Sequence, residues 1–245
     1  MNTWHPPRKP EHLPLTDQTW PRLAFVLYQM ATSELSVRYE LAKILAAHFD
    51  LDLTAKPIRY TFQRLIELQW IDKTTLKVVD GYRMAVVRLS DEGRTLCQYL
   101  GWETVESEWE RLIRLHSGDS QWRHTAAVLS MAYQARLRGW QTQVVPSIDH
   151  PTVFPDLLVD KGQERIYVEV ELRHGKLNKW RNLHALQGFV ALCAKTDDSR
   201  ETLVGECQQL GIPVLATDLL SLAQTHQLAD PGPLWLQSWE KEITT

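Results

Sequence analysis

The chain has 245 residues, of which 44% are hydrophobic and 23% are charged, and its formal net charge is −3. This composition is typical of a soluble globular protein with one large domain or two smaller ones, and the apolar runs are too short to span a membrane. The Pro-rich residues 1–17 lack the apolar core of a secretory signal, so we expect a flexible arm there. Cys97, Cys193 and Cys207 have no metal-binding spacing, which favours free thiols in a reducing cytoplasm.

Residues 18–102 predict three helices, a β-hairpin and a fourth helix. Ser36 is the expected N-cap of the second helix, and Pro57 suits the first turn of the third. Asp80-Gly81 separates two β-like runs and is a strong signal for a two-residue hairpin turn. The predicted helices cover residues 20–32, 36–49, 54–70 and 91–102.

This order resembles a winged helix-turn-helix domain of bacterial regulators. The resemblance is carried by the segments "LIELQWIDKTTL" and "MAVVRLSDEGRTL". In such domains a recognition helix runs into the first strand of a wing. The resemblance implies that residues 18–102 bind double-stranded DNA, with the third helix in the major groove and the wing along the DNA backbone.

A polar stripe on the third helix is the candidate DNA-reading surface. Residues 54–88 contain seven Lys or Arg and only three Asp or Glu, so the chain has a basic region that its net charge hides. Arg and Gln read base edges, whereas Lys mainly contacts phosphates. An ordinary solvated helix face is the simpler explanation of such a stripe. The candidate residues are Lys56, Arg59, Tyr60, Gln63 and Arg64 on the helix, with Lys73, Lys77 and Arg83 on or near the wing.

Residues 103–119 form a charged, amphipathic stretch that predicts a linker helix. Such helices often join two copies of a winged-helix protein, so a homodimer is one reading, and a solvated connector is the other. Gly118 and its Ser and Asp neighbours mark the boundary.

From residue 120 onward, helical and strand-like segments alternate. The order is a long helix, three strands, a helix, a strand, a helix and a last strand. This pattern predicts an α/β domain over residues 120–245 with a mixed central sheet.

Three carboxylates are predicted to converge on one hairpin of this domain. Glu169 and Glu171 alternate with apolar residues and so share one face of a strand. Asp156 is on the preceding strand, joined by a short turn at Lys161-Gly162. Antiparallel neighbours lie about 5 Å apart, and oxygen ligands suit Mg²⁺ or Mn²⁺. The simpler alternative is a solvated face of an ordinary sheet.

Pro155-Asp156 followed by Glu169-Val170-Glu171 resembles the PD-(D/E)xK nuclease superfamily. The resemblance implies that Asp156 and Glu169 hold a metal ion and that a Lys assists the attacking water. Glu171 stands where that Lys is expected, so it is read either as a third ligand or as the mark of an inactive site. The Lys role then passes to the next helix, where the candidates are Lys176 and Lys179. The basic run that contains them also fits a solvated surface.

The whole chain resembles the replication-relaxation family of plasmids and other mobile elements. The resemblance is carried by His124, Trp140, Pro155-Asp156, the "VEVE" strand and a Lys on the following helix. Transposon end-cutting nucleases combine the same two domains in the opposite order. The implied fold is an α+β N-terminal winged helix-turn-helix followed by an α/β restriction-endonuclease-like domain.

Two functions remain open from the sequence. One is a cytoplasmic Mg²⁺- or Mn²⁺-dependent DNA endonuclease or nickase of a mobile element or defence system. The other is a non-enzymatic transcription or replication regulator, in which the nuclease-like fold serves dimerisation or the binding of other mobile-element proteins. The absence of a Lys two residues after Glu169 favours the regulator, and the paired glutamates favour the enzyme.

Overall fold

The computed structural model of the chain combines α-helices with two β-sheets. It describes residues 4–11, 13, 15–115, 122–149, 153–173, 177–225 and 230–240. Within these ranges, no helix has the length and apolar character needed to cross a bilayer. The chain divides into a first unit, Met1–Thr75 with Ala85–Arg114, and a second unit, Leu76–Met84 with Leu115–Thr245.

Three helices build the core of the first unit, as the apolar spacing predicted. Ile58, Phe62 and Leu65 are buried on the inner face of the third helix, whereas Ile66 is exposed on its outer side. Pro57 lies in the first turn of that helix, as expected. The helices are α1 (Trp20–Thr32), α2 (Arg38–His48) and α3 (Lys56–Glu67).

Ser36 does not cap α2, so the predicted capping role is wrong. The helix begins after Val37 and has no side-chain cap. The Ser36 hydroxyl instead accepts a hydrogen bond from the Trp109 backbone N–H at 3.0 Å, and its carbonyl accepts one from Val87 N–H at 2.8 Å. Val37 also forms an antiparallel bridge with Val86. The link between α1 and α2 therefore adds a short extended segment beside the hairpin that follows.

That hairpin consists of β1 (Ile71–Val79) and β2 (Tyr82–Leu89). Its turn is at Asp80-Gly81, as predicted, and Gly81 has a φ of 82°, which favours glycine. The turn half of the hairpin, Leu76–Met84, belongs to the second unit.

Two more helices, α4 (Asp91–Tyr99) and α5 (Glu108–Leu115), follow the hairpin. The predicted linker segment contributes α5, whose residues up to Arg114 belong to the first unit. The Glu108 backbone N–H donates to the Glu34 carbonyl at 2.8 Å, and an Arg111 guanidinium nitrogen donates to Glu34 Oε2 at 2.9 Å.

The expected flexible arm also contacts the first unit. The Trp4 ring meets the Phe25 ring edge-on, with centroids 5.1 Å apart. Trp20 Nε1 donates a 2.7 Å hydrogen bond to the Pro7 carbonyl.

The second unit contains a mixed sheet, as predicted, and this sheet has six strands where five were expected. The strand order is β3-β4-β5-β6-β7-β8, with β5, β6 and β7 parallel and the other pairings antiparallel. The last helix and the last strand were not predicted. The elements are α6 (Trp122–Leu137), β3 (Gln141–Val144), β4 (Leu157–Lys161), β5 (Glu164–Glu171), α7 (Leu177–Gln187), β6 (Val190–Ala194), α8 (Asp197–Gln209), β7 (Val214–Asp218), α9 (Leu219–Gln224) and β8 (Gln237–Trp239).

Both faces of β5 are covered. The alternative considered from the sequence, a face exposed to solvent, does not hold for this strand. Val168 and Val170 are buried on one face, and Glu169 and Glu171 are buried on the other. Helix α6 packs on β3, β4 and β5, while α7 packs on β5 and β6. A sheet with parallel central strands needs such cover on both faces. The two glutamates are consequently removed from water.

Candidate active site

Asp156 is held in position by the pairing of β4 with β5. Asp156 directly precedes β4, whose first residue, Leu157, is opposite Val168 in the antiparallel register. The Asp156 backbone N–H donates to the Val168 carbonyl at 3.1 Å, and its Oδ2 accepts a 2.8 Å hydrogen bond from the Val170 N–H. The side chain is therefore fixed by main-chain groups of the strand that carries the glutamates.

His124, near the start of α6, contacts the other oxygen of this carboxylate. Its Nε2 lies 3.0 Å from Asp156 Oδ1. His124 was identified from the sequence as a feature of the family resemblance, and a core or helix-capping histidine is the simpler interpretation. Its pairing with Asp156 was not predicted, because no spacing rule relates residues that are 32 positions apart.

Glu169 and Lys179 form the centre of the site. The Lys179 ammonium, carried by α7, lies against Glu169 Oε2 and 3.8 Å from Asp156 Oδ1. The Glu169 side chain is only 1% exposed. Its Oε1 is buried and has no hydrogen-bond partner among the residues that the structure describes. One cation is thus shared by two buried carboxylates, and one carboxylate oxygen remains available.

The pKa values of Asp156 and Glu169 are shifted in opposite directions. Burial opposes ionisation of Asp156, but the hydrogen bond and charge of His124, the charge of Lys179 and the Val170 N–H together hold its pKa below the ordinary value. Burial and the neighbouring charge of Asp156 raise the pKa of Glu169 well above its usual range, against the attraction of Lys179. Asp156 is therefore the ionised member of the pair, and Glu169 is the one that holds a proton more readily.

Lys179 keeps its charge in this setting. Burial opposes it, but the charges of Asp156 and Glu169, the hydrogen bond to Glu169 and the charge of Glu171 raise the Lys179 pKa above the ordinary value.

Glu171 is next to this pair on β5. It is buried at the end of β5, and its charge contributes to the raised pKa of Glu169. Over the described ranges, no group of three or more His, Cys, Asp or Glu side chains is arranged to hold one metal ion. The predicted ligand role of Asp156, Glu169 and Glu171 stays a prediction. The candidate Lys176 lies outside the described residues.

The donor chemistry still fits a hard divalent cation. Asp156 and Glu169 supply carboxylate oxygens, the ligands that Mg²⁺ and Mn²⁺ prefer. The unpartnered Glu169 Oε1 is an acceptor in a setting where a buried charge needs a partner. These two residues would hold the ion, with Lys179 beside it.

The predicted DNA-reading residues lie on one helix of the first unit. Lys56, Arg59, Tyr60 and Gln63 are exposed on α3. Arg64 is half-buried and paired with Glu67, its guanidinium 3.2 Å from Oε2. The stripe is therefore accessible from Lys56 to Gln63. At its end, the positive charge of Arg64 is partly offset by Glu67.

The basic residues predicted on the wing are divided between the two units. Lys73 is exposed on β1 in the first unit. Lys77 and Arg83 belong to the turn half of the hairpin in the second unit. Lys77 Nζ lies 2.6 Å from Asp80 Oδ1, and Asp80 Oδ2 lies 3.6 Å from Lys195 Nζ. Asp80 thus offsets positive charge at the tip of the hairpin.

Comparison of the chain with protein-family models, with curated proteins and with solved structures found no match.

Proposed function

We propose that this chain is a DNA-binding protein whose second unit hydrolyses phosphodiester bonds with the help of Mg²⁺ or Mn²⁺, as an endonuclease or nickase. One observation carries the proposal: Asp156 and Glu169 meet at one Lys179 ammonium, and Glu169 keeps a buried oxygen without a partner among the described residues. In metal-assisted phosphodiester hydrolysis, paired carboxylates can hold the metal ion and a lysine can stabilise the negative charge that develops on the phosphate.

Each residue of the site has a distinct role in this proposal. Asp156 and Glu169 would hold the metal ion, which would supply activation of a water molecule and charge compensation at the phosphate. His124 orients Asp156 through their 3.0 Å contact. Lys179 faces the negative charge that develops on the phosphate. Glu171 adds negative potential from the end of β5, and Lys176 remains a second candidate for the lysine role.

The first unit is proposed to bring this site to duplex DNA. The proposed reading surface is Lys56, Arg59, Tyr60 and Gln63 on α3, since these side chains are exposed on one helix face. Three helices followed by a hairpin, with Val37 bridged to Val86 beside it, support the winged helix-turn-helix interpretation. The mixed sheet covered by helices supports the nuclease-like interpretation of the second unit. A cytoplasmic homodimer acting with proteins of a plasmid or transposon remains part of the proposal.

A supercoiled-plasmid nicking assay tests the enzymatic proposal. The full-length chain is compared with Glu169→Gln, which removes the charge, and with Glu164→Gln, a control on an exposed position of the same strand. We expect nicking by the unsubstituted chain and by Glu164→Gln in Mg²⁺ or Mn²⁺, and none by Glu169→Gln. Equal nicking by all three would place the activity elsewhere, and absence of nicking by any would favour the function described next.

The second candidate is a non-enzymatic DNA-binding regulator. It is favoured by the Lys179 ammonium, which already compensates the charge of Asp156 and Glu169, and by the lack of a three-ligand group among the described residues. In that case Mn²⁺ at millimolar concentration leaves the melting temperature unchanged. A metal-binding site instead raises it, because a ligand that binds the folded state stabilises that state.

A further inference from the structure

A surface pocket of about 450 Å³ lies between α2, α3 and the start of β1 in the first unit. Three of the residues that line it, Arg59, Gln63 and Lys73, were predicted to contact DNA. The other lining residues were not. The residues that line the pocket include Arg38, Arg59, Phe62, Gln63, Glu67 and Lys73.

Arg38 is held in this pocket by an aromatic platform. Its guanidinium carbon lies 4.7 Å from the centroid of the Phe62 ring, and Phe62 is buried in the core, so the platform is fixed. Stacking on a ring leaves the guanidinium edge, where the N–H donors are, free to meet an oxyanion. The described residues provide no carboxylate ion pair for Arg38.

The charge of the pocket is positive. Arg59 and Lys73 also lack a carboxylate ion pair within the described part of the first unit. Glu67 is the acidic member of the lining, and it is engaged on its own helix, where Gln63 Nε2 donates to it at 2.9 Å and Arg64 at 3.2 Å. Arg38, Arg59 and Lys73 therefore all line the pocket. The carboxylate among the lining residues, Glu67, already accepts hydrogen bonds from its own helix.

We propose that this pocket binds a phosphodiester group of the DNA backbone, with Arg38 as the central ligand and Arg59 and Lys73 on either side. The inference rests on the proposed DNA binding of the first unit and names a contact within it. Arg59 and Gln63 belong both to the pocket and to the exposed face of α3, so a phosphate held here fixes the position of that helix on the duplex. A guanidinium fork matches two phosphate oxygens, which a lysine ammonium cannot do.

Salt-dependent binding of the full-length chain to fluorescent duplexes tests the proposal. Four proteins are compared from 50 to about 300 mM KCl: the unsubstituted chain, Arg38→Gln, Arg38→Lys and the control Arg114→Gln, which changes an exposed arginine of α5 paired with Glu106. Loss of one phosphate contact lowers the slope of log K against log salt by about 1. We expect that decrease for Arg38→Gln, with about tenfold weaker binding. Arg38→Lys keeps the slope but binds more weakly, and the control changes neither value.

The outcomes separate this contact from the proposed function. If the unsubstituted chain does not bind DNA at 50 mM KCl, the DNA-binding function fails and the contact fails with it. If it binds and Arg38→Gln leaves affinity and slope unchanged, only the contact is overturned. The loss should be the same on AT-rich and GC-rich duplexes, because a phosphate carries no sequence information. A loss confined to one sequence would overturn the phosphate assignment in favour of a base contact. Circular dichroism of each variant checks that the helix content of the full-length chain is retained.

Discussion

Lys179 lies with its ammonium against Oε2 of Glu169, and this contact links α7 to β5 across the buried side of the sheet. The same ammonium is 3.8 Å from Asp156 Oδ1, so one cation compensates two carboxylates. A divalent ion at this position would compete with Lys179 for the same oxygens. The proposed metal binding is therefore expected to change the charge balance of the cluster and, with it, the stability of the protein.

Replacement of Lys179 by methionine should destabilise the chain in EDTA by about 3 kcal/mol, because it leaves two buried carboxylates without their cation. Added Mn²⁺ should then stabilise the variant more than the unsubstituted chain, since the ion no longer competes with an ammonium. Urea unfolding and thermal melting with and without Mn²⁺ measure both effects. Lys195→Met is the control, because its 3.6 Å pair with Asp80 is largely exposed and contributes little. Equal stability of Lys179→Met and the unsubstituted chain would contradict the shared-cation interpretation.

The raised pKa of Glu169 predicts a pH dependence of stability in the absence of metal. A carboxyl group whose folded pKa exceeds the unfolded value of about 4.3 binds more protons in the folded state. The free energy of unfolding therefore decreases as pH rises from about 4 through the folded pKa. Glu169→Gln removes this pH-dependent loss of stability. Relative to the unsubstituted chain, the free energy of unfolding of Glu169→Gln should therefore increase with pH until the pKa of Glu169 in the folded state is passed.

Urea unfolding in EDTA at several values between pH 5 and 8 measures that difference, with Glu164→Gln as the exposed control on the same strand. Asp156 does not contribute in this window. Its lowered pKa gives a stabilisation that is present above about 3.9 and is lost only at more acidic pH. A Glu169→Gln difference that stays constant from pH 5 to 8 would contradict the raised pKa.

Gly93, in the first turn of α4, is predicted to tolerate no side chain. A Cβ at this position would lie 2.0 Å from the Trp70 carbonyl oxygen, which is main-chain and cannot move aside. Gly93→Ala should therefore destabilise the chain by about 3 kcal/mol. Gly205→Ala is the matched control within α8, where no described atom beyond the neighbouring backbone of the same helix lies within 4 Å of the new Cβ, and it should stabilise by about 0.5 kcal/mol. Urea unfolding of both variants gives the comparison, and a neutral Gly93→Ala would show that α4 does not pack this closely on Trp70.

The three cysteines are predicted to be unreactive in the native protein. All three are buried free thiols. Burial raises the Cys97 pKa to about 11, against the charge of Arg94, and the Cys207 pKa to about 12. Burial also raises the pKa of Cys193 well above its ordinary value. Because the thiolate is the reactive form, iodoacetamide at pH 8 should label none of them in buffer and all three in urea, as counted by mass spectrometry. Labelling of any thiol in buffer within minutes would contradict this burial.

Local sequence patterns predicted the first unit well where a short-range rule applied. The spacing of apolar residues gave α1 and α3, and Asp80-Gly81 gave the hairpin turn. The turn from Leu89 to Gly93 belongs to the segment "MAVVRLSDEGRTL", which carried the resemblance to winged helix-turn-helix domains. The structure supplies its reasons: Ser90 Oγ accepts from the Gly93 N–H at 3.0 Å, and Gly93 packs on the Trp70 carbonyl. Ser36 was misread, because its real partner, Trp109, is 73 residues away.

The amino-acid sequence alone determined which chemical groups are present on β5 and that Glu169 and Glu171 share a face, because strand alternation is a local property of the backbone. It also gave Asp156 as their neighbour through the short turn at Lys161-Gly162. Only the tertiary structure decided that these acids are buried, that His124 contacts Asp156, and that Lys179 joins Asp156 to Glu169. Those relationships depend on how α6 and α7 pack on the sheet, and helix packing is set by contacts among residues far apart in the chain, which no local pattern encodes.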